Sequence, residues 1–195
     1  MPPASRTLSD AELAAFKERL CDVAEAMFAQ AGAAHVSMRQ IAAALGVSPM
    51  TPYRYFAGRE EILAAVRIRG FERFAGLLEA AHAGTPGSAA AKAAAAGRAY
   101  VDFALANANT YRLMFDTHQQ GDSADTPLGR AVARARATLS VYGDGLIAAG
   151  TPEAEARAME LLIWSTLHGA VTLELAGTTP PGSARETLRL LARLG

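Results

Sequence analysis

Apolar side chains recur three and four residues apart through almost the whole chain, and this spacing restricts its fold more than any other feature. The first run begins after Ser9 and continues through Leu13, Phe16, Leu20, Val23, Met27 and Phe28. Such spacing places the side chains on one side of an α-helix, whereas a half-buried strand alternates with a period of two. Alanine, the strongest helix former, is abundant, while Val and Ile are sparse. The sequence therefore predicts an all-α protein with no convincing strand.

Capping and turn residues divide the chain into nine predicted helices. Ser9 with Glu12, and Ser183 with Glu186, are capping-box patterns that open the first and last helices. Pro127 opens a helix that Gly143 and Gly145 are expected to interrupt. The predicted helices cover about residues 10–31, 38–45, 49–56, 60–81, 89–106, 110–115, 127–149, 152–176 and 183–194. A loop is expected over 82–88, and an exposed one over 117–126.

Charge and composition limit the cellular compartments and the kinds of partner that are expected for this protein. The formal net charge is zero, which excludes a wholly basic nucleic-acid coat but allows a local basic patch. A single cysteine, Cys21, fits a reducing cytosol; it is more readily a small buried residue than a redox sensor. The first twelve residues carry no apolar signal-peptide core. We interpret the apolar stretch 161–177 as a buried helix, and we expect a cytoplasmic protein.

The segment Ser37 to Phe56 has the form of a helix-turn-helix. Two short helices are separated by Gly46, and Ser48 and Pro49 open the second of them. Its small core is supplied by Ile41, Ala42, Leu45 and Val47. Three arginines and no acidic residue lie between Ser37 and Arg59, a charge that suits phosphate. The alternative is an ordinary solvated helix pair.

Residues 20 to 75 resemble the DNA-binding domain of the tetracycline-repressor-like (TetR) family. The matching strings are Phe28-Ala-Gln-Ala-Gly, Val36-Ser-Met-Arg-Gln-Ile-Ala, Leu45-Gly-Val-Ser, Tyr53-Arg-Tyr-Phe and Glu60-Glu-Ile-Leu. The resemblance implies an all-helical, dimeric regulator that usually represses transcription until a small ligand binds its C-terminal domain. It implies two domains: a helix-turn-helix domain over 1–58, and a ligand-sensing and dimerisation domain over 59–195.

The resemblance also implies DNA-contacting roles for individual residues. Ser37 and Arg39 would contact phosphate, with a base contact as a further alternative. The groove positions would be Ser48, Pro49, Met50, Thr51 and Tyr53, and Tyr53 would also reach phosphate. Further contacts would be Arg54 and Tyr55, although Tyr55 is equally expected in the core or between domains. Arg59 stands where the family commonly has a phosphate-binding lysine, and its charge should preserve that role.

Position 52 departs from the family pattern, because proline replaces the usual aliphatic residue. Pro52 removes an intrahelical hydrogen bond and biases Thr51 away from the helical region. We therefore expect a tighter or distorted first turn in the recognition helix. The distortion would alter the aim of Met50 and Thr51 but not the placement of the helix in the groove.

In the C-terminal half, Trp164-Ser-Thr-Leu-His-Gly resembles the TetR subgroup whose C-terminal domain is named for its Trp-His-Gly motif, and Tyr111-Arg-Leu-Met-Phe supports this. Trp164 and His168 lie one helical turn apart. The candidate effector-contacting residues are Phe103, Tyr111, Met114, Trp164 and His168, which could line a mostly apolar pocket. The alternative is a core tryptophan beside a hydrogen-bonded histidine.

The last two helices are expected to form a homodimer interface, because the helix over 152–176 is apolar nearly all round and needs cover on more than one side. Two-fold symmetry implies a palindromic operator. An effector would act by shifting the helix that starts near Glu60.

Two other classes of function stay open as alternatives. An enzyme lacks support: Ser165 and His168 have no nucleophile-elbow pattern around them, and the histidines show no zinc-ligand spacing. We therefore predict no catalytic residue, metal or cofactor, and no membrane partner. The second alternative is a DNA-binding regulator without a small-molecule effector, controlled by a protein partner or by abundance.

Overall fold

The computed structural model describes residues 9–115 and 125–193, and every helix and contact below belongs to those residues. They form nine α-helices and no strand, which confirms the all-α prediction. The helices are α1 Asp10–Ala31, α2 Met38–Ala44, α3 Arg59–Ala83, α4 Ala89–Ala106, α5 Ala108–Met114, α6 Pro127–Leu139, α7 Val141–Ala148, α8 Glu153–Leu175 and α9 Ser183–Leu191. Most of the predicted loop over 117–126 lies outside the described residues.

The chain divides into two compact units within α3, after Arg67. In the first unit, α1, α2 and the start of α3 enclose a small apolar core that includes Leu20, Phe28 and Ile41. In the second unit, α8 packs against α7 and α9, and α4 packs against α5, α7, α8 and α9. No helix among the described residues is long and apolar enough to cross a membrane.

The capping box predicted at Ser9 is confirmed, and Ser37 forms a second one. Ser9 Oγ accepts from the Glu12 N–H, and the Glu12 carboxylate accepts from the Ser9 N–H, which completes a capping box. Ser37 and Gln40 form the same arrangement at the start of α2. Both are local contacts three residues apart, so the sequence alone determines them.

The predicted capping box at Ser183 is wrong. Ser183 is the first residue of α9, its hydroxyl donates to the Pro180 carbonyl, and the cap residue Gly182 is left-handed with φ +93°. The exposed N–H groups are satisfied from another helix: the two carboxylate oxygens of Glu174 accept from Gly182 and Ala184, each at 2.8 Å. These backbone donors hold the pKa of Glu174 below its usual value.

The predicted interruption at Gly143 and Gly145 is also wrong. The break falls at Ser140, between α6 and α7, and both glycines lie inside α7. A β-carbon added at Gly143 would lie 2.5 Å from Glu160 Oε2, so this glycine allows close approach of α8. Ser140 is tied to the same residue, since its hydroxyl donates to Glu160 Oε1 at 3.0 Å.

Candidate DNA interface and effector cavity

The segment that follows Gly46 is not an α-helix, which corrects the prediction of a helix over 49–56. It contains a 3₁₀ turn at Pro52–Arg54. Thr51 N–H bonds to the Ser48 carbonyl at 2.8 Å, and Arg54 N–H bonds to the Thr51 carbonyl at 3.1 Å. Pro52 has no N–H to donate to the Ser48 carbonyl, so the bond falls to Thr51 and the turn tightens.

Thr51 itself contradicts the expected bias, because it keeps helical dihedral angles with φ −62° and ψ −47°. Pro52 is fully buried in the small core, and this packing holds the turn in place. Sequence reasoning anticipated the distortion but not that the segment would leave the α-helical form altogether.

The tight turn presents a polar and apolar face to the outside. Met50 is 67% exposed and Tyr53 is 46% exposed. Ser48, Pro49 and Arg54 are exposed, whereas Thr51 is half-buried. Met50, Tyr53 and Arg54 follow one another three and one residues apart, so one side of the turn carries side chains of the kinds that contact base edges and phosphate.

At the start of α2, Arg39 is exposed at the second helical position and forms no ion pair among the described residues. Its neighbour Ser37 is exposed, but its hydroxyl is committed to Gln40: it accepts from the Gln40 N–H at 3.3 Å and donates to Gln40 Oε1 at 2.7 Å. Because the capping box engages the Ser37 and Gln40 amides, Arg39 is the group of this first turn best suited to an incoming phosphate.

Tyr55 and Arg59 are engaged within the first unit. The Tyr55 ring is half-buried and packs on Phe16 with ring centroids 4.8 Å apart, which favours its role in the core. Arg59 Nη1 donates to the Ala34 carbonyl at 2.8 Å, and the guanidinium also pairs with Glu60. A phosphate would have to compete with these partners for Arg59.

Three of the predicted effector contacts lie in an aromatic core of the second unit. Phe103, Tyr111 and Met114 are each at least 97% buried. The Phe103 ring packs edge-to-face on Phe74, with centroids 5.4 Å apart. None of these three side chains lines the cavity beside Trp164 that is described below.

Tyr100, Tyr111 and His168 form a hydrogen-bonded triad within this core. The two hydroxyl oxygens are 2.6 Å apart, and the Tyr111 oxygen lies 2.7 Å from His168 Nδ1. Burial raises the pKa of Tyr100 to about 12, raises the pKa of Tyr111 well above its usual value, and lowers the pKa of His168. At neutral pH the triad is therefore uncharged, and a tyrosine hydroxyl can donate to Nδ1 of a neutral imidazole.

Beside the triad, the second unit contains a partly open cavity of about 160 Å³. Trp164 and Ile163 from α8 form one wall, and Leu188 from α9 another. The α4 wall contains Tyr100 together with alanines and Gly97. Of the five predicted effector contacts, only Trp164 lines this cavity; His168 lies behind Tyr100.

Sequence reasoning missed Tyr100 and the small-residue wall of α4. The signal was present: Ala90, Ala93, Ala94 and Gly97 are three, one and three residues apart and share one helical face. A face of small residues leaves space beside a helix, but only the neighbouring helices determine whether the space stays open.

Models of known families account for most of the chain. A model of the tetracyclin repressor-like C-terminal domain matches residues 93–194, more than half of the sequence. A model of bacterial regulatory proteins of the tetR family matches residues 20–66, which include the turn described above.

The chain belongs to the TetR family.

Solved structures share the fold of this chain. A protein of unknown function from Rhodococcus sp. RHA1 is 26% identical, with a TM-score of 0.77 over 100% of this chain and 96% of its own. The candidate regulatory protein SCO4313 is 26% identical, with a TM-score of 0.76 over 95% of this chain and 98% of its own. A TetR-family regulator from Legionella pneumophila, 18% identical, shares the fold with a TM-score of 0.69 over 97% and 98%. No curated protein matches the chain.

Membership of the TetR family makes this protein a DNA-binding transcriptional regulator. The C-terminal match does not confirm the Trp-His-Gly subgroup that the sequence predicted. In the structure, the Trp164 and His168 rings lie 6.0 Å apart, and Gly169 has open space around its α-carbon. Within this motif, Trp164 therefore lines the cavity, His168 takes part in a hydrogen bond of the core, and Gly169 is not covered by neighbouring side chains.

Proposed function

We propose that this TetR-family regulator is a homodimeric repressor that leaves a palindromic operator when a small molecule occupies the cavity beside Trp164. The observation that carries the proposal is the cavity itself, an apolar space inside the unit that follows the helix-turn-helix. Protein interiors are close-packed, so a space of about 160 Å³ represents lost contacts that a ligand can restore.

In this proposal, Arg39, Tyr53 and Arg54 contact phosphate, and Ser48, Pro49, Met50 and Thr51 face the major groove. Ser37 fixes the start of α2. Trp164 contacts the effector directly, and the Tyr100–Tyr111–His168 triad supports the cavity from behind. Phe103 and Met114 hold the surrounding core.

Exposed apolar side chains on α8 and α9 support a dimer through these helices. They are Met159, Leu161, Leu162, Leu173 and Leu190, and Leu162 is 65% exposed. Small residues on the same side of α8, including Ser165 and Gly169, would allow a second copy to approach closely. We expect Leu162→Glu to shift the protein towards monomer in sedimentation analysis. Leu77→Glu alters a leucine of similar exposure on α3 and should leave the dimer intact; equal effects would reject this interface.

The effector would act through α3, whose residues belong to both units. Displacement of α3 by a bound ligand would change the separation of the two recognition turns, which must remain near one DNA repeat of about 34–36 Å. Coupling of this kind is reciprocal, so operator DNA would weaken effector binding by the same factor.

The decisive experiment measures binding of the purified protein to its own upstream intergenic DNA at two salt concentrations. Tight, selective binding with a steep salt dependence is expected. Arg39→Ala should weaken binding and reduce the salt slope by about one, as for loss of one phosphate contact. Tyr53→Ala should weaken binding with the fold intact, whereas Arg136→Ala, an exposed arginine of α6, is the control. Unchanged binding by both interface variants would refute the site, and an operator affinity insensitive to every cavity ligand would refute effector control.

A further inference from the structure

The α4 wall of the cavity is a long trough. Ala90, Ala93, Ala94 and Gly97 line it, and none has a side chain larger than a methyl group. With a rise of 1.5 Å per residue, the stretch from Ala90 to Gly97 runs for about 10 Å along the helix. A wall of small side chains of this length can accommodate an extended alkyl chain.

Polar groups in the wall are mostly engaged with the protein. Thr138 Oγ1 donates to the Ala135 carbonyl at 2.7 Å, and Glu160 accepts from Ser140 and Arg157. The Tyr100 hydroxyl belongs to the triad, whereas the buried indole nitrogen of Trp164 has no hydrogen-bond partner among the described residues. Most of the lining is apolar, so the larger part of a ligand that enters the cavity must be hydrocarbon.

A second cavity of about 320 Å³ adjoins the first and shares Ala94, Leu188 and Ala192 with it. The charged residues that line this groove are three arginines, Arg98, Arg185 and Arg189, and one carboxylate, Asp102. Arg185 binds Asp102 at 2.8 Å, and Arg189 pairs with Glu186. Arg98, one turn beyond Ala94, is exposed and has no ion pair among the described residues, so the groove carries an excess of positive charge.

Leu188 separates the two spaces. Its Cδ1 atom lies 2.8 Å from the point where a β-carbon on Gly97 would stand, so the leucine rests directly on that glycine. Because Ala94, Leu188 and Ala192 line both spaces, the apolar trough and the arginine groove lie side by side. The combined site would have a hydrocarbon end and a cationic end.

We infer that the site binds an amphipathic anion: an alkyl chain of medium length lies along the α4 trough, and its anionic headgroup reaches Arg98 in the groove. The inference rests on the proposed role of this cavity as the effector site, and it names the ligand class. Carboxylate and phosphate headgroups share the required chemistry.

The test is isothermal titration calorimetry of the whole protein, with fluorescence of Trp164, the only tryptophan, as a second signal. Octanoate and octyl phosphate carry the two headgroups, octanol and octylamine keep the chain without the anion, and acetate keeps the anion without the chain. We expect an eight-carbon anion to bind at least threefold more tightly than octanol or octylamine, and acetate not to bind. Whichever of octanoate and octyl phosphate binds more tightly identifies the headgroup. Equal affinity for octanol and both anions would overturn the inference.

Two pairs of variants locate the ends of the ligand. Arg98→Gln should weaken binding of the anion about two- to fivefold and leave octanol unchanged, as expected for one exposed ion pair. Arg136→Gln, on α6, is its control. Ala93→Phe should fill the trough and abolish binding of both eight-carbon anions, whereas Ala106→Phe, at the exposed end of α4, should not. If the eight-carbon anions bind Ala93→Phe and Arg98→Gln as tightly as they bind the unaltered protein, this placement of the ligand is overturned.

The two proposals fail separately. If a neutral apolar compound binds and releases the operator while both eight-carbon anions do not bind, the inference is refuted and effector control stands. If an eight-carbon anion binds as described but leaves operator affinity unchanged, the inference stands and release by an effector is refuted.

Discussion

Removal of the Glu174 carboxylate should loosen α9, although this residue lies on α8. Glu174 accepts the backbone N–H groups of Gly182 and Ala184 at 2.8 Å each, in the position that a helix cap normally fills. In Glu174→Ala, both donors at the start of α9 lose their protein partner. We expect the first turn of α9 to fray, and with it the placement of Leu188 and Leu190.

The magnitude follows from the two bonds. Loss of a helix N-cap typically costs about 1 kcal/mol, and hydrogen bonds to a charged group are stronger than neutral ones. Water can reach this partly exposed site and replace some of the loss, so we expect about 2 kcal/mol in the free energy of unfolding. For a protein of this size, that corresponds to a fall of about 4–8 °C in Tm.

Urea and thermal unfolding of three variants test the reasoning. Glu174→Gln keeps one acceptor oxygen and should cost about half as much as Glu174→Ala. Glu186→Ala removes the residue that the sequence pattern assigns to the cap. Its exposed ion pair with Arg189 should add little to stability, because solvent screens it. If Glu186→Ala destabilises the protein as much as Glu174→Ala, the capping assignment is wrong.

The same carboxylate gives a pH signature. Because the pKa of Glu174 is lowered in the folded state, the unfolded chain takes up its proton first as the pH falls. The contribution of Glu174 to stability is complete above its ordinary pKa and is lost as the pH falls through the folded value. The stability difference between the protein and Glu174→Ala should therefore shrink in acid; a constant difference would show that the charge is not involved.

Three further predictions concern the triad and the recognition turn. Because burial lowers the pKa of His168, the contribution of this residue to folding stability is present above pH 6.5 and is lost as the pH falls towards the pKa in the folded state. His168→Gln should therefore reduce the loss of stability between pH 7.5 and 5.5, measured by urea unfolding. An unchanged pH dependence would exclude His168 as its source. Tyr111→Phe removes a buried hydroxyl and should lower the free energy of unfolding, measured in urea, by about 1–2 kcal/mol. Tyr142→Phe, which alters a half-buried tyrosine of the cavity wall, is the control and should have a smaller effect. Pro52→Leu supplies the missing N–H, so the amide at position 52 should bond to the Ser48 carbonyl and resist hydrogen exchange; an unprotected amide would show that the proline does not cause the 3₁₀ turn.

Local signals fixed much of the fold in advance. The bounds of α4 were predicted without error, and those of α1 and α8 within a residue or two, because capping groups and helical periodicity act over three or four residues. The strings around Arg39 and Tyr53 likewise sufficed to predict the helix-turn-helix. Pro52 predicted a distorted turn, because the missing N–H is a property of proline itself.

Other features depended on contacts between distant parts of the chain. Glu174 caps α9 only because α8 and α9 pack together, and Glu160 of α8 comes close to α7 only because residue 143 is a glycine. The sequence placed Trp164, Tyr111 and Phe103 on helical faces, but the face of a helix does not determine how deeply a side chain is buried. A cavity is the volume that neighbouring helices leave unfilled, so only tertiary packing placed Trp164 in its wall and buried Tyr111 and Phe103 in the core.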